Sequence, residues 1–220
     1  MLAQAGEPAG LAVLAARQTH GRGSRGRHWQ TLPGNLALSI LLRPGGPAAD
    51  AGQWALLAAV ALLEALEAAA PGLVIRLKWP NDVMLDDRKL GGVLIDTALA
   101  PDGRLAWLVI GFGANLAVAP ELVEHTPAAL PNAPDPARVA VSTLDRVGHW
   151  HGTVRQDGFA PARRAWLDRG PALGAWLRLR IDGRLLGGTF AGLSDTGALL
   201  LQSGGRVRAF ATGQVLQAEG

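Results

Sequence analysis

The sequence predicts an α/β fold of the α+β kind, with helices packed on a mixed, mainly antiparallel sheet and a small β-barrel at the C-terminal end. Three observations predict it. Residues 73–112 alternate short strands with tight turns, which is typical of an antiparallel meander. Residues 51–70 form one long apolar helix that ends at Pro71-Gly72. Four or five short strands follow residue 172, which favours a small barrel.

Two strands and a loop are predicted ahead of the helix. Residues 11–18 are largely apolar and predict a buried strand. A loop rich in glycine and arginine follows, and residues 35–42 form the second strand, which ends at Pro44.

Turn residues define the meander behind the helix. A strand over 73–78 ends at the turn of residues 79–82, and Asp86-Asp87-Arg88 and Pro101-Asp102-Gly103 connect the strands that follow. Proline-rich residues 119–136 predict a loop, and helices are expected over 137–147 and 155–169. The change of character after Gly170-Pro171 predicts two domains, residues 1–171 and 172–220.

Composition excludes several classes of function. The 220 residues include no cysteine, so neither disulfides nor thiol chemistry can operate. The formal net charge of +3 is too small to predict nucleic-acid binding by itself. No signal peptide is visible, and the apolar run Trp54–Leu63 is too short to span a bilayer. A cytoplasmic protein without a membrane partner is expected.

Only two of the 21 basic residues are lysines, Lys78 and Lys89. They lie eleven positions apart in a chain that otherwise uses arginine. An ammonium is a compact point charge, whereas a guanidinium is a planar fork. The pair therefore indicates a centre where phosphate and carboxylate meet, although two neighbouring lysines also arise by chance.

Residues Gln18–Trp29 form the first motif, a loop in which glycines alternate with arginines. Glycine permits close approach of the backbone, and arginine donates to phosphate or carboxylate. The loop alone leaves open an anion cradle, a nucleic-acid contact and a solvated surface. It matches neither a Walker A motif nor a dinucleotide fingerprint.

Three further motifs lie at predicted strand ends. Lys78–Asp82 ends a strand, and Asp82 is suited to hold Mg²⁺ beside phosphates; the alternative is an ordinary Asx turn. Lys89 begins a predicted strand in which Gly91 and Gly92 have no side chains. This leaves room for a flat ligand above the sheet, or it marks a bulge in an ordinary hairpin. Gly113-Ala114-Asn115 offers an amide in an open space. Together the motifs suit a nucleotide and a small carboxylate exchanging a phosphoanhydride bond.

In these motifs, in their order and spacing over nearly the whole chain, the sequence resembles the biotin protein ligases. The resemblance implies a class II synthetase-like ligase domain with an SH3-like barrel. It also implies a two-step reaction in which biotin and Mg-ATP give biotinyl-5′-adenylate, and the biotinyl group passes to a lysine of a biotin carboxyl-carrier protein. The implied catalytic residues are Lys89 and Asp82, with Asp82 as the Mg²⁺ ligand.

The resemblance also implies two sets of binding residues. Biotin is expected to contact Gln18, Gly21, Arg22, Gly23, Ser24, Lys89, Gly91 and Gly92. ATP and the adenylate are expected to contact Arg25, Arg27, Trp29, Lys78, Asn81, Asp82 and Asn115. The family includes dimers, and the sequence does not decide whether this chain forms a homodimer.

The sequence departs from the family pattern at three points. The family's Ser-Thr-Asn segment, which contacts biotin, has no counterpart, and residues 1–10 are interpreted as the remnant of the helix behind it, so a truncated N-terminus is expected. Ser24 stands where some members have arginine, which predicts weaker retention of the adenylate. No helix-turn-helix precedes the domain, so DNA binding is not expected.

Two other classes of function remain open. A lipoate or octanoyl ligase shares the catalytic fold, although the glycine/arginine loop argues against it. A non-catalytic protein would bind biotin without consuming ATP.

Overall fold

A computed structural model describes residues 2–120 and 127–216. Its larger sheet consists of six strands, Ala12–Leu14 (β1), Leu36–Leu42 (β2), Ile75–Lys78 (β3), Asp82–Leu85 (β4), Arg88–Leu99 (β5) and Leu105–Ala114 (β6). The spatial order is β1-β2-β6-β5-β4-β3, and every neighbouring pair is antiparallel. The predicted meander is therefore confirmed. The one parallel contact among the described residues is an isolated bridge between Lys89 and Pro127.

Three helices, Ala51–Ala69 (α1), Pro136–Asp157 (α2) and Ala160–Leu167 (α3), complete this layer. Helix α1 contacts the sheet and both other helices, and eleven of its nineteen residues are buried. By length and by the mean hydropathy of 1.3 in an 18-residue window, residues 48–69 could cross a membrane, but 61% of that window is buried inside the protein. It is the core helix of this fold.

The second and third helices differ from their predicted bounds. Helix α2 is one continuous helix through residue 157, and Gly158, with a φ of 74°, separates it from α3. Its start is fixed by Asp135, whose Oδ1 accepts a hydrogen bond from the backbone N of Ala137 at 2.9 Å. Part of the loop predicted over 119–136 lies outside the described residues.

The first strand is shorter and more exposed than predicted. Strand β1 has three residues, and Val13 and Leu14 remain 47% and 43% exposed. As an edge strand it pairs only with β2 among the described strands, so its apolar composition does not bury it. Residues 2–10 form turns, and the predicted remnant of a helix is not present there.

A second sheet contains the remaining described strands, Trp176–Ile181 (β7), Arg184–Leu193 (β8), Leu199–Ser203 (β9), Arg206–Phe210 (β10) and Gln214–Leu216 (β11). Its order is β10-β9-β8-β7-β11. Since β10 and β11 lie at opposite edges, hydrogen bonds between the described strands do not close the predicted barrel. The small C-terminal β-unit itself is confirmed.

The turn between β8 and β9 fixes the second sheet against the first layer. The indole N of Trp79 donates to the backbone O of Gly197 at 3.2 Å. Nearby, Arg163 on α3 forms an ion pair with Asp195 at 2.7 Å. Because Trp79 belongs to the segment Lys78–Asp82, this contact places the second sheet beside a predicted site motif.

Candidate functional site

Small residues form a flat floor on the face of the larger sheet that is opposite the helices. In the strand register Gly92 pairs with Gly113, and Gly111 pairs with both Leu94 and Ser39. A Cβ on Gly113 would lie 2.5 Å from the Trp29 indole. The absence of a side chain at Gly113 therefore lets an aromatic ring lie directly on the sheet.

The glycine/arginine loop is folded into a compact hairpin above this floor. The backbone N of Trp29 donates to Gly21 O at 2.9 Å, and that of Gly23 donates to Arg27 O at 2.7 Å. A Cβ on Gly21 would lie 2.1 Å from the carbonyl O of Trp29, so the hairpin requires glycine there. The Arg27 guanidinium donates to the Oγ of Ser24 at 3.1 Å. These contacts within the loop hold it in this conformation.

One end of the site contains both lysines and Asp82. The Nζ of Lys89 lies 2.5 Å from Oδ1 of Asp82, and each side chain is about one-fifth exposed. The same Nζ is 5.7 Å from the centroid of the Trp29 ring. Burial lowers the pKa of the Lys78 ammonium; Asp82 opposes this, while the charges of Lys89 and Arg27 lower that pKa further. This end concentrates positive charge around one carboxylate.

The other end contains a second ion pair. Arg22 Nη2 lies 2.5 Å from Oδ2 of Asp96, and these side chains are 72% and 45% exposed. Gln18 is positioned nearby, since its Oε1 accepts a hydrogen bond from the Thr31 hydroxyl at 2.7 Å. Asp96 lies four residues beyond Gly92 on β5, so the two ends are separated by roughly 13 Å.

A cavity of about 170 Å³ connects the two ends. The predicted residues that line it are Gln18, Arg22, Gly23, Ser24, Trp29, Asn81, Asp82, Lys89 and Gly92. A smaller cavity of about 50 Å³ adjoins it, where Ser24, Arg27, Asn81 and Asp82 meet Gly213, Gln214 and Val215 of the second sheet. The structure therefore brings motifs from four parts of the sequence to one place.

Four of the predicted residues whose side chains the structure describes do not line either cavity. Gly21 lies in the backbone of the hairpin above the floor, and Gly91 lies in strand β5, where a Cβ would be 2.7 Å from Gly113 O. Lys78 pairs with Asp82 across β3 and β4 and acts on the site through its charge. The side chain of Arg25 lies outside what the structure describes.

The fourth, Asn115, is buried in a hydrogen-bond network behind the cavity. Its amide N donates to Ala128 O at 3.0 Å, and its Oδ1 accepts from the amide of Asn35 at 3.5 Å. Ala128 in turn donates its backbone N to Lys89 O at 2.8 Å. Asn35 also accepts from the backbone N of Val118. In this arrangement Asn115 supports the backbone of Lys89, and its predicted contact with ATP stays a prediction.

Several residues that line the cavities were not predicted from the sequence. Asp96 could have been found, because Gly92, Leu94 and Asp96 alternate along β5 and share one face. The same alternation places Ser39 of β2 at the floor. Gln214 could not have been found from the sequence, since its position beside the small cavity depends on how the second sheet packs against the first layer.

The donors present suit a magnesium ion only in company with phosphates. Among residues 2–120 and 127–216, no three His, Asp or Glu side chains cluster closely enough to hold a metal. Among the described residues that line the two cavities, Asp82 is the one carboxylate at the lysine end. Mg²⁺ is commonly held by one or two carboxylates, waters and substrate phosphates, which this set of residues can provide.

Comparisons with known proteins agree with this geometry. The family model for the biotin/lipoate A/B protein ligase family matches residues 2–115. The biotin–[acetyl-CoA-carboxylase] ligase of Paracoccus denitrificans is 38% identical over 200 residues, covering 86% of this chain and 83% of its own length. The bifunctional ligase/repressor BirA of Bacillus subtilis is 31% identical over 92% of this chain, which spans 64% of that protein.

A solved structure shows the same fold. The biotin protein ligase from Aquifex aeolicus, in complex with biotin and ATP, superposes with a TM-score of 0.82 at 26% identity, covering 98% of this chain and 91% of that chain. Matches in sequence and structure thus cover the glycine/arginine loop, the Lys78–Asp82 segment and the strand of Lys89. The chain belongs to the biotin/lipoate A/B protein ligase family and, within it, to the biotin protein ligases.

Proposed function

We propose that this protein activates biotin with ATP as biotinyl-5′-adenylate and transfers the biotinyl group to a lysine of a biotin carboxyl-carrier protein. The observation that carries the proposal is the Lys89 ammonium beside Asp82 at one end of a glycine-floored cavity. Family membership supports the same substrates, since the Paracoccus relative is named a biotin–[acetyl-CoA-carboxylase] ligase and the Aquifex protein is solved in complex with biotin and ATP.

In the first step a biotin carboxylate oxygen attacks the α-phosphorus of ATP, the bond to the β-phosphate oxygen breaks, and pyrophosphate leaves. Two anions must approach each other, and Lys89 supplies a positive charge that attracts both. The Nζ of Lys89 is positioned by Asp82 and by the nearby Trp29 ring. Such preorganisation stabilises the charge that develops on the phosphoryl oxygens.

The floor and the loop determine how the substrates lie. A fused ring system fits against Gly92 and Gly111, where no side chain projects, with Gln18 and Arg22 as polar partners at the far end. The Trp29 indole offers a flat surface near Lys89 on which the adenine can stack. Arg27 and Lys78 add positive charge near the nucleotide phosphates.

In the second step the neutral amine of the acceptor lysine attacks the carbonyl carbon of the adenylate. The bond to the phosphate oxygen breaks, AMP leaves, and the amine loses a proton. Lys89 again faces the leaving phosphate, so the same ammonium serves both half-reactions. Arginine would be a poor substitute there because its planar fork is larger and fixes a different geometry.

Magnesium is proposed as the partner of ATP, with Asp82 as the protein ligand. When bound, it would neutralise phosphate charge during displacement of pyrophosphate. Asn81 lies beside Asp82, but its amide N donates to Val93 O, so this side chain primarily fixes the turn that presents Asp82.

The direct test is pyrophosphate release from Mg-ATP with and without biotin, followed by capture of label on a carrier domain. The expected result is biotin-dependent release that lipoate does not support. Release with lipoate alone would favour the lipoate-ligase alternative, and binding of biotin without release would favour a non-catalytic protein.

Three finer points complete the proposal. We expect the two sheets to correspond to separable units, residues 1–171 and 172–220. The protein is expected to act in the cytoplasm on a carboxylase carrier domain, without DNA or membrane partners. A homodimer remains open, and sedimentation of the purified chain would decide it.

A further inference from the structure

The second sheet has a strongly one-sided charge. Its five strands contain five arginines and no acidic residue. Along β7 the side chains alternate, because Leu179 is fully buried while Arg180 is exposed. Trp176, Arg178 and Arg180 therefore lie on the outer face of the sheet, which we name the β7 face.

The β7 face begins at the rim of the proposed active site. Strand β11 pairs with β7, with Gln214 opposite Arg180 and Leu216 opposite Arg178. Gln214 also lines the small cavity beside Arg27 and Asp82. Since paired residues share a face of the sheet, Arg180 lies one strand away from the cavity. Gly213 and Val215 line that cavity as well, so it meets the edge of β11, and a molecule lying on the β7 face would reach it across that strand.

Apolar groups accompany the charges on this face. Trp176 is 63% exposed, and its indole lies against Gly187 of the neighbouring strand, where a Cβ would be 2.7 Å from the ring. Leu185, opposite Arg180 on β8, is 50% exposed. Exposed aromatic and arginine side chains side by side are typical of protein-binding surfaces.

We propose that the β7 face binds an acidic surface of the carrier protein during biotinyl transfer. The inference rests on the proposed function, which requires a macromolecular acceptor to bring a lysine to the adenylate. A small acid and a nucleotide are accommodated by the cavity and the loop, and neither needs Arg178 or Arg180. The acceptor alone must cover surface outside the cavity, and an acidic one would be attracted by strands that carry arginines and no carboxylate.

A single-stranded nucleic acid is the other partner that arginine and tryptophan could attract. Such binding normally uses several aromatic side chains on which successive bases stack. The β7 face offers one exposed aromatic, Trp176, with leucines beside it. Protein is therefore the occupant to which the surface is better suited.

The test compares two double charge reversals on the same sheet. Arg178→Glu with Arg180→Glu changes the β7 face, while Arg206→Glu with Arg208→Glu makes the same change in charge on β10, at the sheet edge opposite β11. For each we would measure pyrophosphate release, transfer to a purified carrier domain of acetyl-CoA carboxylase, and transfer to hydroxylamine, a small acceptor that needs no docking.

The expected result is a KM for the carrier domain raised about tenfold or more in the β7 variant only, since charge steering changes association rates by such factors. Pyrophosphate release and hydroxylamine transfer should remain at wild-type levels. The dependence of kcat/KM for the carrier on ionic strength should also become weaker. If the charge reversal impairs folding, the neutral variant Arg178→Gln with Arg180→Gln takes its place. Because this variant introduces no repulsion, it should raise the KM for the carrier domain by a smaller factor.

Two outcomes would overturn the proposal. An unchanged KM for the carrier in the β7 variant would remove this face from docking, as would equal losses in both double variants. Binding of oligothymidylate that depends on Arg178 and Arg180, with unchanged carrier kinetics, would assign the face to nucleic acid. Lack of biotin-dependent pyrophosphate release in the wild type would instead refute the proposed function.

Discussion

Two ion pairs of equal length lie at opposite ends of the cavity. Lys89–Asp82 and Arg22–Asp96 both have 2.5 Å between nitrogen and oxygen. The first pair is about one-fifth exposed and lies under Trp29, whereas Arg22 in the second is 72% exposed. The two ion pairs therefore have the same contact distance and differ in how strongly they are hydrated.

The difference in hydration predicts different roles. Exposed pairs contribute about 0–1 kcal/mol to stability and are screened by salt, because water already solvates both charges. In a partly buried pair the charges are less screened, and removal of one partner leaves the other poorly compensated. The Lys89 end is thus suited to act on reacting anions, while the Arg22 end is suited to close the cavity loosely.

The largest effect is expected from removal of the Lys89 ammonium. Lys89→Ala should lower the rate of adenylate formation by about a hundredfold or more, the loss typical of a removed electrostatic stabiliser. Lys89→Arg should restore little, because the guanidinium keeps the charge but not the compact geometry. The measurement is single-turnover formation of labelled biotinyl-adenylate.

Its matched control is Arg88→Ala. Arg88 precedes Lys89, its side chain is 47% exposed, and it does not line the cavity. Near wild-type adenylation is expected there. If Lys89→Ala formed adenylate as fast as this control, Lys89 would have no part in the first step.

The next largest effect is expected from removal of Asn35, which belongs to the hydrogen-bond network behind Lys89. Asn35 accepts hydrogen bonds from the backbone N of Ala117 and Val118, and its amide N donates to Val118 O at 2.7 Å. Asn35→Ala would leave these buried groups unpaired, and we expect a loss of about 3 kcal/mol in the free energy of unfolding. Urea denaturation measures it.

Asn132→Ala provides the comparison, since Asn132 is exposed. Its free energy of unfolding should change by less than about 0.5 kcal/mol. A loss for Asn35→Ala no larger than that would mean that water or rearranged backbone satisfies the network, and that the support of Lys89 through Asn115 and Ala128 is weak.

The two ends of the cavity also differ in how far they could be predicted from the sequence. The lysine end was predictable, because Lys78, Asp82 and Lys89 occur in short segments whose strand and turn signals are local. The central helix and the meander were predictable for the same reason, since apolar periodicity and Pro-Gly or Asp-Gly turns act within a few residues.

What the sequence did not predict depends on contacts between distant segments. Asp96 meets Arg22 across 74 positions, and Asn35 meets Asn115 across 80. The exposure of β1 depends on its place at the sheet edge, and the approach of Gln214 to Asp82 depends on how Trp79 binds the β8–β9 turn. The C-terminal strands are short, and their sequences do not specify whether β10 pairs with β11. The open edge of this sheet was therefore not predicted either.

A smaller effect concerns Lys78, whose charge is partly buried at the same end as Lys89. Since burial lowers its pKa from 10.5, the folded state binds fewer protons than the unfolded chain between the lowered pKa and 10.5. The free energy of unfolding of the wild type should therefore rise with pH through that window. Lys78→Met should be more stable than the wild type at pH 7, and this advantage should shrink towards pH 10.5.

Thermal melts at several pH values measure the difference between the two proteins. Arg76→Met, an exposed change on the same strand, should show no such pH dependence because arginine stays charged throughout. A stability advantage for Lys78→Met that stays constant with pH would mean that packing of the methionine, and not the charge of Lys78, is responsible.

The smallest effect is expected at the exposed pair. Asp96→Asn should change the free energy of unfolding by less than about 1 kcal/mol, and salt should erase even that difference, because Arg22 is already hydrated. Its consequence should instead fall on the ligand: the freed guanidinium is less well positioned over the cavity, so the KM for biotin should rise while kcat is retained. Titration of stability and KM with KCl, in the wild type and in Asp96→Asn, separates the two effects. A loss of stability comparable to that of Asn35→Ala would show that hydration does not distinguish the two ion pairs, and the contrast between the ends of the cavity would then need another cause.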